Sequence, residues 1–342
     1  RDWSSDVCSS DLTTDLVRQL WLDNYYYGGI YSLQYKNKST QLTIGGGLNQ
    51  YDGNHYGRII WANIGIPKDY TWYQLDARKK DFNIYTKLQQ TIAANLTGFL
   101  DLQYRRVAYR INGFRDNPSL MVNNTYNFLN PKAGISYSKN NWNAFASFAV
   151  GNKEPNRDDF EAGQNQQPKK ESLYDLELGI EHRKSSTAWS ATLYFMNYRD
   201  QLVLTGKVND VGAYTRTNIP RSYRLGAELQ RSIRLASWMR LQGNLTISDN
   251  KVIDFTEYLD NYDEGGQVIN QYHKTDIAFS PACIGGATAT FLPVKNGEIA
   301  LIGKYVGRQF LDNTSKRERS LEAFYVQDLR LSYTVKSKSA RT

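Results

Sequence analysis

The nine residues Tyr174–His182, YDLELGIEH, decide the architecture. In an extended chain successive side chains point to opposite sides. Tyr174, Leu176, Leu178 and Ile180 therefore share one face, and Asp175, Glu177, Gly179 and Glu181 share the other. One face is apolar and the other is too polar for a dry core. The same alternation recurs in Ser222–Gln230, where Tyr223, Leu225, Ala227 and Leu229 oppose Arg224, Gly226 and Glu228. It recurs again in Met239–Ser248, where Met239, Leu241, Leu245 and Ile247 oppose Arg240, Gln242, Asn244 and Thr246. Helical periodicity is hard to find anywhere in the chain.

Working outward from these stretches, the pattern predicts thirteen strands. They fall near 25–36, 40–51, 82–92, 95–112, 128–139, 141–150, 171–184, 187–201, 221–235, 237–249, 276–293, 297–306 and 321–334. Most exceed the five or six residues usual in soluble sheets, and lengths of about ten suit tilted strands that cross a bilayer. Six short connections, around Asn37–Ser39, Ala93–Ala94, Asn140, Ser185–Ser186, Ala236 and Lys295–Asn296, alternate with six long ones. The long ones cover 52–81, 113–127, 151–170, 202–220, 250–275 and 307–320. In an up-and-down meander alternate connections lie at opposite ends. One end then has tight turns and the other long loops, as in outer-membrane barrels. The fold expected is all-β: a transmembrane antiparallel up-and-down β-barrel. A soluble sandwich or propeller would show mixed loop lengths and shorter strands.

Composition agrees. The 342 residues carry 42 Lys or Arg and 34 Asp or Glu, a net charge of +8, with 40% hydrophobic residues and 25 Tyr. The mean hydropathy of −0.60 excludes a helical membrane protein. Ile277–Val294 is free of charge, but Pro281, Gly285, Gly286 and Pro293 would break a helix, so it reads as a bent strand. Two cysteines, Cys8 and Cys283, rule out a disulfide framework. Three histidines, His55, His182 and His273, leave no close ligand set for zinc. HExxH, Walker and GxSxG signatures are absent, so no enzyme and no cofactor is expected. Lys and Arg are scattered among acids rather than gathered in a stripe, which disfavours nucleic acid. The acidic positions Asp254, Glu257, Asp260, Asp263 and Glu264 do not have EF-hand spacing, so no metal site is expected.

Residues Arg1–Leu12, RDWSSDVCSSDL, lack alternation and resemble a translated sequencing-adapter sequence; they are set aside from the fold argument. The expected domain is thus 13–342. An odd strand count and a polar tail at Lys336–Thr342 suggest an incomplete barrel, because bacterial barrels have even numbers.

Ordered motifs then carry a family resemblance. They are Leu129–Tyr137 (LNPKAGISY), Ala146–Phe160 (ASFAVGNKEPNRDDF), Gln201–Tyr214 (QLVLTGKVNDVGAY), Asn218–Gln230 (NIPRSYRLGAELQ), Ser280–Pro281 and Lys304–Thr314 (KYVGRQFLDNT). In order and spacing the set resembles the barrel of TonB-dependent outer-membrane receptors, especially those of Bacteroidota. The resemblance covers nearly all of 13–335. It implies a 22-stranded barrel, of which about thirteen strands would be present, and a plug domain not found in this sequence. It further implies active uptake of a scarce small-molecule ligand (a ferric siderophore, haem, cobalamin or an oligosaccharide), with the TonB complex acting through the plug and outer-membrane lipid around the barrel. A passive porin is the alternative.

Candidate site residues follow. The aromatic stretch 52–81 holds His55, Tyr56, Arg58, Trp61, Tyr70, Trp72 and Tyr73, which could grip a flat or anionic ligand by stacking and charge. The alternative is an aromatic girdle at the membrane interface. Glu154, Arg157, Asp158 and Asp159 follow an apolar-faced strand and could meet water or a plug. Asp175, Glu177, Arg224, Glu228, Arg240, Asp328 and Arg330 are expected on the lumenal side. On the lipid face Arg or Lys would cost about 2–4 kcal/mol at the midplane, Asp or Glu less.

Overall fold

The computed structural model describes residues 14–162, 167–208 and 214–335. The adapter-like segment 1–12 and the polar tail 336–342 lie outside the described residues. The alternating stretches build strands β1 (Leu16–Lys36), β2 (Thr40–Ala62), β3 (Tyr70–Ala93), β4 (Leu96–Asn112), β5 (Met121–Lys139) and β6 (Trp142–Lys153). Next come β7 (Glu171–Arg183), β8 (Thr187–Val208), β9 (Tyr214–Ala236) and β10 (Met239–Ile253). The short strands β11 (Phe255–Asp260), β12 (Gln267–Tyr272) and β13 (Thr275–Asp276) precede β14 (Cys283–Phe291) and β15 (Gly297–Val306). The chain ends on β16 (Gln309–Phe310), β17 (Ser320–Leu321) and β18 (Phe324–Tyr333). One sheet runs β1 to β10, then β14, β15 and β18, each strand paired with the next, with β13 added beside β10. The main path therefore has the thirteen strands expected. β11 pairs with β12, and β16 with β17, as separate two-stranded sheets.

Register shows why the pattern was decisive. Leu178 lies opposite Ala146 and Leu193, Leu193 opposite Ala227, and Ala227 opposite Ile247. One position along, Glu177 lies opposite Ser147 and Tyr194. The apolar row is not buried: Leu178 is 46% and Leu193 56% exposed. An apolar face this extensive, left open on a sheet, marks a membrane-contacting surface. At the tight-turn end Trp142, His182 and Trp189 cluster on that face, with ring centroids 4.4 and 5.5 Å from Trp142, as an interfacial girdle would.

The tight turns have local causes. Asn37 Oδ1 accepts from the Ser39 and Thr40 amides, at 2.9 and 2.7 Å, an Asx turn. Asn140 and Asn141 sit at φ 48° and 68°, the left-handed pair that a two-residue hairpin demands. On β7, Gly179 makes room for a neighbour: a Cβ there would come within 2.1 Å of the Phe145 ring directly across the ladder.

Two corrections concern the connections. The stretch 52–81 is mostly strand: β2 continues to Ala62 and β3 starts at Tyr70, leaving 63–69 as the connection. Likewise 113–127 shrinks to 113–120, β8 reaches Val208, β9 begins at Tyr214, and 250–275 contains the β11–β12 hairpin. Apolar alternation stops where the bilayer would stop, but the backbone ladder does not need it. Tyr, Trp and Thr remain good strand formers there. The second correction is 276–293: the barrel strand is only Cys283–Phe291. Residues 277–282 leave the ladder, with Phe279 at φ 52° and Pro281 unable to donate.

The chain forms two compact units. The described part of the first comprises 14–30, Gly47–Asn83 and Arg106–Tyr126; the second comprises Tyr31–Gly46, Ile84–Arg105 and Asn127 onward. Ile59, Leu75, Val107, Ile111, Phe114, Leu120 and Val122 are buried in the first. In the second, Ile219, Val252, Phe255 and Ile277 form a core beside Val203 and Tyr272. That core lies at the long-hairpin end of the strands and roots the β11–β12 hairpin, whose tip turns at Gly265 and Gly266, both at φ 77° and facing open space.

Candidate functional site at the long-hairpin end

The segment after β6 is held by two buried ion pairs. Arg105 of β4 grips Glu154 with both guanidinium nitrogens, Nη1 to Oε2 at 2.8 Å and Nη2 to Oε1 at 2.9 Å. Arg216 of β9 grips Asp159 likewise, Nε to Oδ1 at 2.7 Å and Nη2 to Oδ2 at 2.8 Å. The Asn156 amide donates to Asp159 as well, and Phe160 beside it is fully buried. Such forked pairs fix direction as well as distance. Arg157 and Asp158, between the anchors, stay at the surface 3.7 Å apart. The structure thus separates the four candidates of this segment: Glu154 and Asp159 are locked by arginines, while Arg157 and Asp158 lie at the surface.

A second lock joins the β11–β12 hairpin to the segment before β18. Glu257, 4% exposed, accepts hydrogen bonds from Arg319, Tyr272 and Asn270. Arg319 also donates to Asp312 at 3.0 Å. Burial pushes the Glu257 carboxyl up, but Arg319, Tyr272 and Asn270 outweigh it and hold it below the ordinary range. Asp312 is lowered on balance in the same way: burial opposes, Thr314 and Arg319 win. Asn313 and Ser315 stitch the same segment to 276–278, Asn313 accepting from the Ala278 amide and Ser315 from the Asp276 amide.

The aromatic candidates do not form one cluster. Tyr56 stacks on Trp21 at 6.0 Å, with the Arg58 guanidinium 5.0 Å above its ring. His55 points the other way, its Nε2 3.0 Å from Asn24 Oδ1. Trp72 packs edge-on to Tyr73 at 4.4 Å and receives Arg18 at 5.6 Å. Its Nε1 is buried with no hydrogen-bond partner, a donor left for a ligand or water. Trp61 and Tyr70 flank the 63–69 connection and are half exposed.

On the polar face Asp175 sits opposite Met196, Glu177 opposite Tyr194, Arg224 opposite Met196, Glu228 opposite Thr192, and Asp328 opposite Ile302. Arg224 donates to Ser280 at 2.8 Å and Arg330 to Glu298 at 2.7 Å. A cavity of about 560 Å³ opens on this face, lined by Glu181, Arg183, Gln242, Asn244 and Lys304 together with apolar groups such as Ile284 and Ile302. Arg105, Arg216, Asp312 and Arg319 escaped the sequence reading, because a lone Arg in an alternating strand gives no sign of a carboxylate 49 or 57 positions away. Among the described residues no group of three or more His, Cys, Asp or Glu is placed to hold a metal.

An antiparallel meander with one open apolar face, one polar face and hairpins locked at one end has a counterpart among sequence families. The family described as "TonB dependent receptor-like, beta-barrel" matches residues 2–341. The chain belongs to this family. TonB-dependent receptor barrels are outer-membrane transport proteins of Gram-negative bacteria, and the resemblance read from the motifs stands at that level. The match begins at residue 2, and the adapter-like reading of 1–12 gains no support from it. Curated protein sequences yield no match. Among solved structures the chain is similar to the copper transporter OprC (TM-score 0.68, 14% identity, 93% of this chain, 49% of that one). It is similar also to the ferric citrate transporter FecA (0.67, 16%, 94% and 48%). A third is the ferric yersiniabactin uptake receptor FyuA from Yersinia pestis (0.63, 12%, 92% and 48%). At these identities the likeness is one of fold. The chain spans about half the length of these receptors.

Proposed function

We propose that this chain is the barrel portion of an outer-membrane active importer that takes up a scarce ligand with TonB-coupled energy. The observation that carries the reading is the family match along the whole sheet. The sheet's two faces and the rigid outer end support it. A barrel does no bond-making chemistry: it offers a selectivity surface outside and a polar wall within. The polar-face charges Asp175, Glu177, Arg224, Glu228, Asp328 and Arg330 are assigned to that wall, where a plug would meet them. Ligand contact is assigned to the outer end, with Trp72, Tyr56 and Arg58 as stacking and charge-bearing groups.

The test is uptake. The gene at its full length is expressed in a host stripped of its own receptors, with and without TonB. Accumulation of labelled ferric siderophores, haem, cobalamin and an oligosaccharide is then followed. The expected result is TonB-dependent accumulation of one class. TonB-independent, concentration-driven permeation of small solutes would overturn the reading in favour of a passive porin.

A further inference from the structure

Three of the ordered motifs carry a proline, at Pro131, Pro220 and Pro281, and each proline has an asparagine at work beside it. Proline has no N–H to give a neighbouring strand. The β5–β6 ladder pairs Lys139 with Trp142 and runs as far as Lys132 and Ala149, ending where Pro131 stands. There the Asn130 side chain takes over. Its Oδ1 accepts from the Asn152 backbone amide at 3.1 Å, and its Nδ2 donates to Gln103 of β4 at 3.0 Å. In the β8–β9 ladder Arg199 faces Arg221 and Gln201 faces Ile219, while Asp200, across from Pro220, is skipped and sits at φ 54°. Asn218 Nδ2 donates to the Asp200 carbonyl at 2.6 Å and to the Lys169 carbonyl at 3.1 Å. Its Oδ1 accepts from the Lys169 amide at 2.8 Å. Before Pro281 the chain has left the ladder, and Asn313, 4% exposed, accepts from the Ala278 amide at 2.8 Å.

Gln267 acts in the same way without a proline: its Nε2 donates to the Gly206 carbonyl at 2.8 Å and its Oε1 accepts from the Val208 amide at 3.4 Å. A side-chain amide carries both a donor and an acceptor, so it can stand in for a backbone group in either sense. Each of these residues joins segments far apart in sequence. Asn218 ties the β6–β7 connection to the β8–β9 hairpin. Gln267 ties the β11–β12 hairpin to the end of β8. Asn313 ties the stretch after β13 to the segment after β16. A connection whose backbone is captured by a distant side chain has given up its freedom before any ligand arrives, which lowers the ordering cost of binding.

We propose that Asn130, Asn218, Gln267 and Asn313 are positioning residues that hold the ligand-selecting connections of the outer end in their working arrangement before ligand binds. This rests on the importer reading above. It makes ligand capture an encounter with a pre-formed rim, and it gives the motif asparagines a task that strand alternation does not require.

The receptor is purified in detergent at the full length of its gene, and hydrogen-exchange protection is measured with no ligand added. Strong protection of the Asn152, Lys169 and Ala278 amides is expected; exchange of Lys169 and Ala278 at their intrinsic rates would overturn the proposal. Donor and acceptor roles then rank the variants. Asn313 serves as an acceptor, so Asn313→Asp should keep the protection of Ala278 while Asn313→Ala lowers it about tenfold. Asn218 donates twice, and a carboxylate there has no N–H for two carbonyls and repels both. Asn218→Asp should therefore fail as Asn218→Ala does. All four variants should keep the heat-modifiable gel mobility of a folded barrel. Uptake of the labelled ferric siderophores, haem, cobalamin and oligosaccharide is followed in parallel. Asn218→Ala, Asn218→Asp and Asn313→Ala should raise KM about tenfold with the maximal rate unchanged, and Asn313→Asp should not. An unchanged KM in Asn218→Ala and Asn313→Ala, or an Asn313→Asp as damaged as Asn313→Ala, would also overturn the proposal. No accumulation of any of these compounds, with protection in place, counts against the importer reading alone. Exchange at intrinsic rates with intact uptake counts against the pre-formed rim alone.

Discussion

At the residue scale the structure turns on buried acids held by distant arginines. Asp159 is 2% exposed and depends on Arg216 for compensation. Arg216→Ala would leave its carboxylate buried and unpaired, a change that costs about 3–5 kcal/mol when a buried pair loses one member. The expected outcome is accelerated amide exchange at 156–160, with the strand ladder of β6 and β7 unchanged. Glu257 and Asp312 make a pH prediction. Both have folded-state pKa values below the ordinary carboxylate range. The stability they contribute is therefore fully present above the unfolded values of about 4. It is lost as pH falls through the lowered folded values. Hydrogen-exchange protection over 255–272 and 309–321, taken relative to the intrinsic rate at each pH, should be high at pH 6 and fall below pH 4. Glu257→Gln should show the lower protection already at pH 6.

At the scale of elements, the hairpin β11–β12 is only as firm as its root. Phe255 is 2% exposed among Ile219, Val252 and Ile277, and Phe255→Ala should remove about 3–5 kcal/mol of local stability. Limited proteolysis should then cut between 255 and 272 well before the membrane strands. The strands themselves were legible in the sequence, because lipid on one side and water on the other impose strict two-residue alternation on β7, β9 and β10. The hairpins beyond the bilayer were not. There both faces of β2 and β3 meet water or protein, the alternation lapses, and Asp52–Asp81 reads as a loop although it is mostly ladder. The candidate site was legible only in composition. Aromatics in 52–81 were visible, but His55 and Tyr56 are neighbours in sequence and so point to opposite faces. No local signal announces that Arg105 finds Glu154. The break at 277–282 was half visible: Pro281 was noted, while the hydrogen bond from Ala278 to Asn313 depends on a residue 35 positions on.

At the scale of the whole molecule, the sheet path has two ends, β1 and β18, not paired with each other among the described residues. β18 is exposed along its full length and β1 along nearly all of it. Unpaired edges of this length template association. The 342-residue chain, refolded alone in detergent, is expected to elute as higher oligomers in size-exclusion chromatography, whereas the receptor at the full length of its gene elutes as one species. The tip of β11–β12 has a practical consequence. Gly265 and Gly266 turn in open space, above a hairpin whose base is packed and ion-paired. Foreign residues spliced between them would disturb neither root nor ladder. A short epitope tag inserted there should be stained on intact cells by its antibody without loss of uptake, making this turn a place to display peptides or attach a fluorophore on the living bacterial surface.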